Sequence, residues 1–396
     1  MLWKPVLSAN KRQVFVDLAR QAVALQPDLP SIQESLGRLL LATGGYDEAI
    51  QVLSKAITTF PSEPGLYLML ADAYYQKRQP SLAWSILQQT PNVPVNDRKL
   101  TINRLTLILQ TLESLEAFDD AANVAADLLK IDPSNQYALE CSVRFSRKKG
   151  NPEIVLHLLQ EALNHQPGHT TAYYELALTY ALLGRSDEAR AMIDLNRFIK
   201  VIDLGTPPGY QDAVAFETAV AGEIASDVTL KPDPPGQATE SGFHTDFFLP
   251  HNDEQVSVCD VISMIRSQLA CFVANLTGPP DTPFIKRKPK QGMLNAWAVV
   301  HPCNGRQRSH IHPDGWLSGV YYVSAPRRSP QSISAGCLVL GAVDEELNLD
   351  PPWGIREISP VPGRLVLFPS YIPHATVATG SPHTRICVAF DVMPCP

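Results

Sequence analysis

His310, His312 and Asp314 stand at alternate positions in Ser309-His310-Ile311-His312-Pro313-Asp314-Gly315, and His374 follows Phe368-Pro369-Ser370-Tyr371-Ile372-Pro373. Arg385 comes next among the residues of interest and opens the apolar run Arg385-Ile386-Cys387-Val388-Ala389-Phe390. Alternate residues of an extended strand face one side, so the first three could share one interior. A mononuclear non-haem Fe(II) centre needs three protein ligands on one face of an octahedron, with the other positions left to co-substrate and O2. Two frames compete for that role. His312-x-Asp314 with His374 gives two histidines and one carboxylate, whereas His310-x-His312 with His374 gives three neutral imidazoles and less negative charge to offset the iron.

Each residue also has a plainer reading. His310 and His312, taken alone, would be polar groups on a strand. Asp314 precedes glycine, and a turn at Pro313-Asp314-Gly315 would carry it away from the metal. His374 sits where a strand meets a loop, a common place for a structural histidine. The combination is what makes a metal site, and Arg385 strengthens it. A buried strand does not tolerate an unpaired guanidinium, so an inward Arg385 requires an anion. A carboxylate suits it, because arginine grips one with two parallel hydrogen bonds. A protein carboxylate is the alternative partner. One of the successive residues Tyr321 and Tyr322 must face the same interior.

These residues must be positioned by strands. Beyond residue 200 prolines become dense, and short apolar runs alternate with turn residues: Asp246 to Pro250, Gly292 to Val300, Leu317 to Val323. That pattern predicts an all-β barrel or sandwich. One helical interruption is expected over 256–276, where Val261, Ile262, Ile265, Leu269 and Phe272 recur at helical spacing and would pack on the outside of the barrel.

The first half reads differently. Frames beginning near 30, 64, 102, 136 and 170 repeat a pattern of small residues and aromatics, among them Gly37, Ala49, Ala71, Ala83, Ala121 and Ala189. The period is 34 residues apart from a four-residue insertion near Pro91-Asn92-Val93-Pro94. This resembles the tetratricopeptide repeat over residues 1–198. Small residues sit where the two helices of a hairpin cross, large ones fill the gap to the next hairpin, and proline punctuates the helices. Such a solenoid is expected to offer a concave face to a protein or peptide.

Residues 199–396 resemble the 2-oxoglutarate/Fe(II) oxygenase family often fused to tetratricopeptide repeats. The likeness rests on His310-x-His312-Pro313 with Leu317-Ser318-Gly319-Val320-Tyr321-Tyr322, on Leu367-Phe368-Pro369-Ser370 leading to His374, on Arg385-Ile386-x-Val388-Ala389-Phe390, and on Gly242-Phe243-His244-Thr245 and Asn295-x-Trp297 upstream. It implies an α + β multidomain chain, with an all-α solenoid followed by a double-stranded β-helix of the cupin-like jelly-roll type. It further implies Fe(II), 2-oxoglutarate and O2 as cofactor and co-substrates, ascorbate as a stimulant, and hydroxylation of a C–H bond as the outcome. Arg385, with Tyr321 or Tyr322, would hold the C5 carboxylate of 2-oxoglutarate. Members commonly carry a small or amide residue where this chain has Asp314, so the likeness favours His310 and His312.

Composition narrows the partners. A net charge of −7 over 396 residues gives no basic surface for phosphates, so nucleic acid is not expected. The basic run Lys286-Arg287-Lys288-Pro289-Lys290 is read as a solvated loop beside the barrel. Seven scattered cysteines without a Cys-x-x-Cys predict reduced thiols and a cytoplasmic location. Met1-Leu2-Trp3-Lys4-Pro5 shows no apolar leader, and no stretch is expected to reach the ~18 apolar residues of a membrane span. The expected substrate is a protein or peptide side chain. Two other readings are a non-catalytic repeat scaffold with a degenerate jelly roll, and a three-histidine cupin metalloenzyme that does not use 2-oxoglutarate.

Overall fold

The structure, a computed structural model, describes residues 9–94, 96–150, 152–232, 238–248, 255–278, 282–326 and 334–394. By contact it divides into two compact units, Leu7–His165 and a second made chiefly of Gln166–Pro396. The first is all helix: α1 (Ala9–Leu25), α2 (Pro30–Ala42), α3 (Tyr46–Thr59), α4 (Pro64–Gln76), α5 (Pro80–Gln89), α6 (Arg98–Ser114), α7 (Phe118–Ile131), α8 (Gln136–Lys148) and α9 (Pro152–His165). The helical pattern continues into the second unit as α10 (Thr170–Leu182) and α11 (Ser186–Met192). The repeat therefore runs past the point where the contacts divide.

Hairpin geometry follows the small residues. A Cβ on Gly37 would lie 2.8 Å from Leu53 Cδ2, so glycine is what lets α2 and α3 approach. Ala49, Ala83, Ala121 and Ala189 are all fully buried on second helices. The extra four residues appear as one added turn at the start of α6, whose first N–H groups are capped by Asp97 accepting from Leu100 N at 2.9 Å. Each hairpin turns through one left-handed residue, at Gly44, Arg78, Glu116, Gly150 and Gly184. Glycine adopts that conformation freely, whereas an L side chain costs about 1 kcal/mol. Glu116, at φ 59°, therefore carries strain that Glu116→Gly relieves. That variant is expected to raise the unfolding free energy by roughly 0.5–1 kcal/mol in denaturant titration. A lower midpoint would contradict this account of the turn.

The second unit adds β1 (Lys200–Asp203), α12 (Ala213–Ala225), β2 (Lys231–Pro232), β3 (Thr239–Glu240), β4 (Phe243–His244), α13 (Val256–Ala274), α14 (Pro283–Lys286), β5 (Gly292–His301), β6 (Arg306–His310), β7 (Leu317–Ser324), β8 (Leu338–Leu340), β9 (Arg356–Ile358), β10 (Arg364–Pro369), β11 (His374–Thr376) and β12 (Arg385–Pro394). Among the described residues the strands form two antiparallel sheets, ordered β1-β10-β7-β12-β5-β4-β2 and β3-β6-β11-β8-β9. From β5 onward the chain passes back and forth between the sheets, which is the winding of a double-stranded β-helix. The fold is thus α + β, with a repeat solenoid followed by a jelly roll.

Several expectations need correction. Asp246, Phe247 and Phe248 form no strand; the short strand precedes them at Phe243–His244, and Leu249 and Pro250 lie outside the described residues. The helix expected over 256–276 is present as α13, but α12 accompanies it and packs between it and β7. At 19 residues and a mean hydropathy of 1.5, α13 is also long and apolar enough to cross a membrane by length and composition, contrary to the expectation that no stretch would be. Here its apolar stripe, including Val258, Val261, Ile265 and Leu269, is buried within the fold. In the basic run Lys286, Lys288 and Lys290 are exposed, but Arg287 is not solvated. It is half-buried and reaches Gly315 O at 3.4 Å.

Candidate metal centre

Strand β6 ends at His310, the chain passes His312, and β11 begins at His374 directly opposite His310 in the ladder. The pairing brings the three rings together: centroids lie 5.1 Å apart for His310 and His312, 4.2 Å for His310 and His374, and 5.0 Å for His312 and His374. One nitrogen from each falls within 4.8 Å of the others. The Nε2 atoms of His310 and His312 are 3.2 Å apart. Two ligands at right angles on bonds of ~2.1 Å stand about 3 Å apart, so the spacing suits one octahedral ion.

The other nitrogen of every ring is already engaged. His310 Nδ1 donates to Arg308 O at 2.8 Å, His374 Nδ1 to Ile372 O at 3.1 Å, and His312 Nδ1 to Asp391 Oδ1 at 2.6 Å. Each bond holds the proton on Nδ1 and leaves the Nε2 lone pair facing the cluster. Burial drives the rings of His374 and His310 toward the neutral form a metal requires. His374 is held well below the usual imidazole range by desolvation, then by His310 and His312. His310, although an edge still reaches solvent, is packed among enough protein atoms that desolvation, followed by His312, pushes it down to about 3.

Asp391 is the residue that sequence reasoning missed. Its Oδ1 accepts from both His312 Nδ1 and Ser318 Oγ (2.7 Å), and Ser318 Oγ meets Ser370 Oγ at 2.8 Å. It supplies the negative charge that three neutral imidazoles lack, one hydrogen bond behind the metal position. The available signal was a lone carboxylate in an apolar strand, between Phe390 and Val392. Asp314 takes no part in the cluster; it lies exposed in the turn after His312, on the side of Arg287. Asp314→Ala should therefore leave metal affinity unchanged in isothermal titration. A tenfold loss would return Asp314 to the ligand set.

Register assigns the remaining groups. Odd-numbered residues of β12 face inward with Asp391, so Arg385 does too; it is 2% exposed, and its Nη1 donates to Gly336 O at 2.9 Å. Its Nε is buried without a partner. Of the two tyrosines, Tyr322 is the inward one: it pairs with Cys387 and feels the charge of Arg385, while burial raises its hydroxyl pKa. Tyr321 faces the other way, toward Glu217 of α12, and burial pushes it up to about 12. It is not in position to bind a ligand with Arg385. Trp297 and Phe368 line the ring cluster, with centroids 5.9 Å from His312 and 4.8 Å from His374. The donor set thus fits a divalent transition metal, and the unused Arg385 Nε fits a buried anion.

Comparison with known proteins agrees in class. Residues 295–391 match the family described as Putative 2OG-Fe(II) oxygenase, and residues 40–100 and 147–195 match two tetratricopeptide-repeat families. One chain therefore joins tetratricopeptide repeats to a domain of the 2OG-Fe(II) oxygenase family. Among solved structures it is similar to a Pseudomonas putida prolyl-4-hydroxylase, at 14% identity and TM-score 0.37, covering 54% of this chain and 100% of that one. It is also similar to YrrB, a repeat protein with an unusual peptide-binding site, at 16% identity and TM-score 0.36, covering 45% of this chain and 89% of that one. A Trichoplax adhaerens prolyl hydroxylase in complex with a hypoxia inducible factor peptide matches at 14% identity and TM-score 0.34, covering 54% and 92%. No curated protein matches the chain.

Proposed function

We propose that the protein is an Fe(II)- and 2-oxoglutarate-dependent oxygenase that hydroxylates a side chain of a protein or peptide, recruited with the help of its repeats. The observation that carries this reading is the convergence of three Nδ1-anchored histidines in a jelly roll that also buries Arg385 with an unsatisfied N–H. In it His310, His312 and His374 hold the iron, and Arg385 with Tyr322 holds the distal carboxylate of 2-oxoglutarate. Iron and 2-oxoglutarate, when bound, supply with O2 the oxidant for a C–H bond, yielding succinate and CO2. The chain's own part is positioning. Backbone carbonyls and Asp391 fix the rings before the metal arrives, so little reorganisation is needed. Trp297 and Phe368 limit water around the ligand rings, and the apolar wall keeps the electrostatic contacts strong.

A protein or peptide is the proposed partner because stacked helical hairpins present an extended surface suited to a chain segment. The six cysteines among the described residues are free, in keeping with the reducing cytoplasm that we propose as its location. One observation favours a second reading, a three-histidine metalloenzyme that does not use 2-oxoglutarate: the cluster holds no carboxylate. The two separate in one assay. The protein is loaded anaerobically with Fe(II), ascorbate and 2-oxoglutarate, air is admitted, and succinate is measured with a peptide library present. Succinate above the protein-free control supports the oxygenase; bound metal without succinate favours the second reading.

A further inference from the structure

Two side chains inside the jelly roll hold hydrogen-bonding capacity that the fold does not use. His301, the last residue of β5, is fully buried, and neither Nδ1 nor Nε2 has a partner. Arg385, the first residue of β12, leaves its Nε unpaired. The two are direct partners in the β5–β12 ladder, so their side chains leave the sheet side by side on its inner face. Buried polar atoms are normally satisfied, and each one that is not destabilises the fold. A histidine kept for packing alone would be better replaced by an aromatic ring without nitrogens.

The surroundings hold this ring in one place. A Cβ on Gly242 would stand 2.8 Å from His301 Cδ2, so that glycine makes room for the imidazole. Burial, then the charge of Arg385, then His244, drives its pKa down to about 2. The ring is therefore neutral, with one N–H to give and one lone pair to accept. Trp297, which shares the inner face of β5 with His301, has its ring centroid 5.9 Å from that of His312, which places the His301–Arg385 pair and the histidine cluster on one interior.

We propose that His301 is a further anchor of the co-substrate's distal carboxylate, beside Arg385 and Tyr322: its neutral N–H donates to one oxygen while Arg385 supplies the charge and holds the other. The proposal rests on the 2-oxoglutarate reading above. It makes the recognised class a dicarboxylate whose far end is bound by one cation and two neutral donors, His301 and Tyr322. A bound carboxylate would accept from the orphaned N–H of each residue at once, and the fold carries the desolvation cost of those donors until then.

The test uses full-length protein loaded with Mn(II), which holds the site without turnover, and reads 2-oxoglutarate affinity, metal affinity and melting temperature. His301→Phe keeps a ring and removes both nitrogens; His301→Gln keeps an N–H donor. For His301→Phe we expect 2-oxoglutarate to bind about tenfold more weakly, the loss of one hydrogen bond to a charged group. Metal affinity should match the wild type, and the melting temperature without 2-oxoglutarate should be equal or higher. His301→Gln should recover most of the affinity. The inference is overturned if His301→Phe binds 2-oxoglutarate as tightly as the wild type. It is equally overturned if both variants lose 2-oxoglutarate, metal and thermal stability together, which would make the ring structural. Wild-type protein that binds Mn(II) but no 2-oxoglutarate would overturn the oxygenase reading as well, so the two failures are told apart.

Discussion

His374→Ala is expected to abolish tight Fe(II) or Mn(II) binding while leaving the jelly roll folded. The side chain is one of three convergent imidazoles, and its Nδ1 bond to Ile372 O serves to aim the ring. Losing a partner behind a metal ligand costs roughly 10–100-fold in affinity, and losing the ligand itself should cost more. Folding should not suffer in step, because His374 is held as a neutral ring, its charged form disfavoured by burial and by its two neighbours, so removing it breaks no ion pair. A metal at 100 times its Kd stabilises the folded state by about 2.7 kcal/mol. Wild-type melting temperature should therefore rise on adding Mn(II), and that of His374→Ala should not. A variant that still gains stability from the metal would remove His374 from the centre.

Arg385→Ala carries the second large effect, of a different kind. Its guanidinium is nearly inaccessible and donates to Gly336 O, yet the Nε N–H has no acceptor. Removing it leaves the ligand's carboxylate buried without its cation, a loss of about 2–5 kcal/mol for a buried charge pair. The dissociation constant for 2-oxoglutarate should rise by about 100-fold or more. Mn(II) affinity should stay near the wild-type value, since the charge serves the far end of the ligand. Loss of metal together with 2-oxoglutarate would make Arg385 a structural residue. Arg385→Met, which keeps much of the volume, guards against a collapse of the cavity.

The parts of this site that could be read from the sequence are those set by local spacing. His310-x-His312 lies on one strand and its exit, His374 opens the strand that pairs with it, and Arg385 opens the next; each needs only the alternation of a strand. The repeat was legible for a similar reason, since every hairpin returns small residues and a left-handed turn at fixed intervals. Asp391 and His301 were not legible, because their meaning depends on which residue of another strand lies opposite. Asp391 reaches His312 only through the fold, and its register partner Ser318 shares its carboxylate. His301 acquires its neighbour only through the β5–β12 ladder. The choice between Tyr321 and Tyr322 likewise waits on which face of β7 meets α12. Asp314 is the opposite case: the turn chemistry of Pro313-Asp314-Gly315 argued against ligation, and the structure leaves it outside the cluster. Arg287 shows the limit of reading charge runs, since a cation between two exposed lysines can still turn inward to a backbone carbonyl.

The most direct test of the central claim is the visible spectrum of the Fe(II) protein titrated with 2-oxoglutarate in the absence of oxygen. A 2-oxo acid that chelates iron through its keto and carboxylate oxygens gives a charge-transfer band that neither component shows alone. That band is expected in wild-type protein, is expected to be absent in His374→Ala, and should appear in Arg385→Ala only at much higher 2-oxoglutarate concentration. Iron bound at the three histidines with no band at any concentration would contradict it.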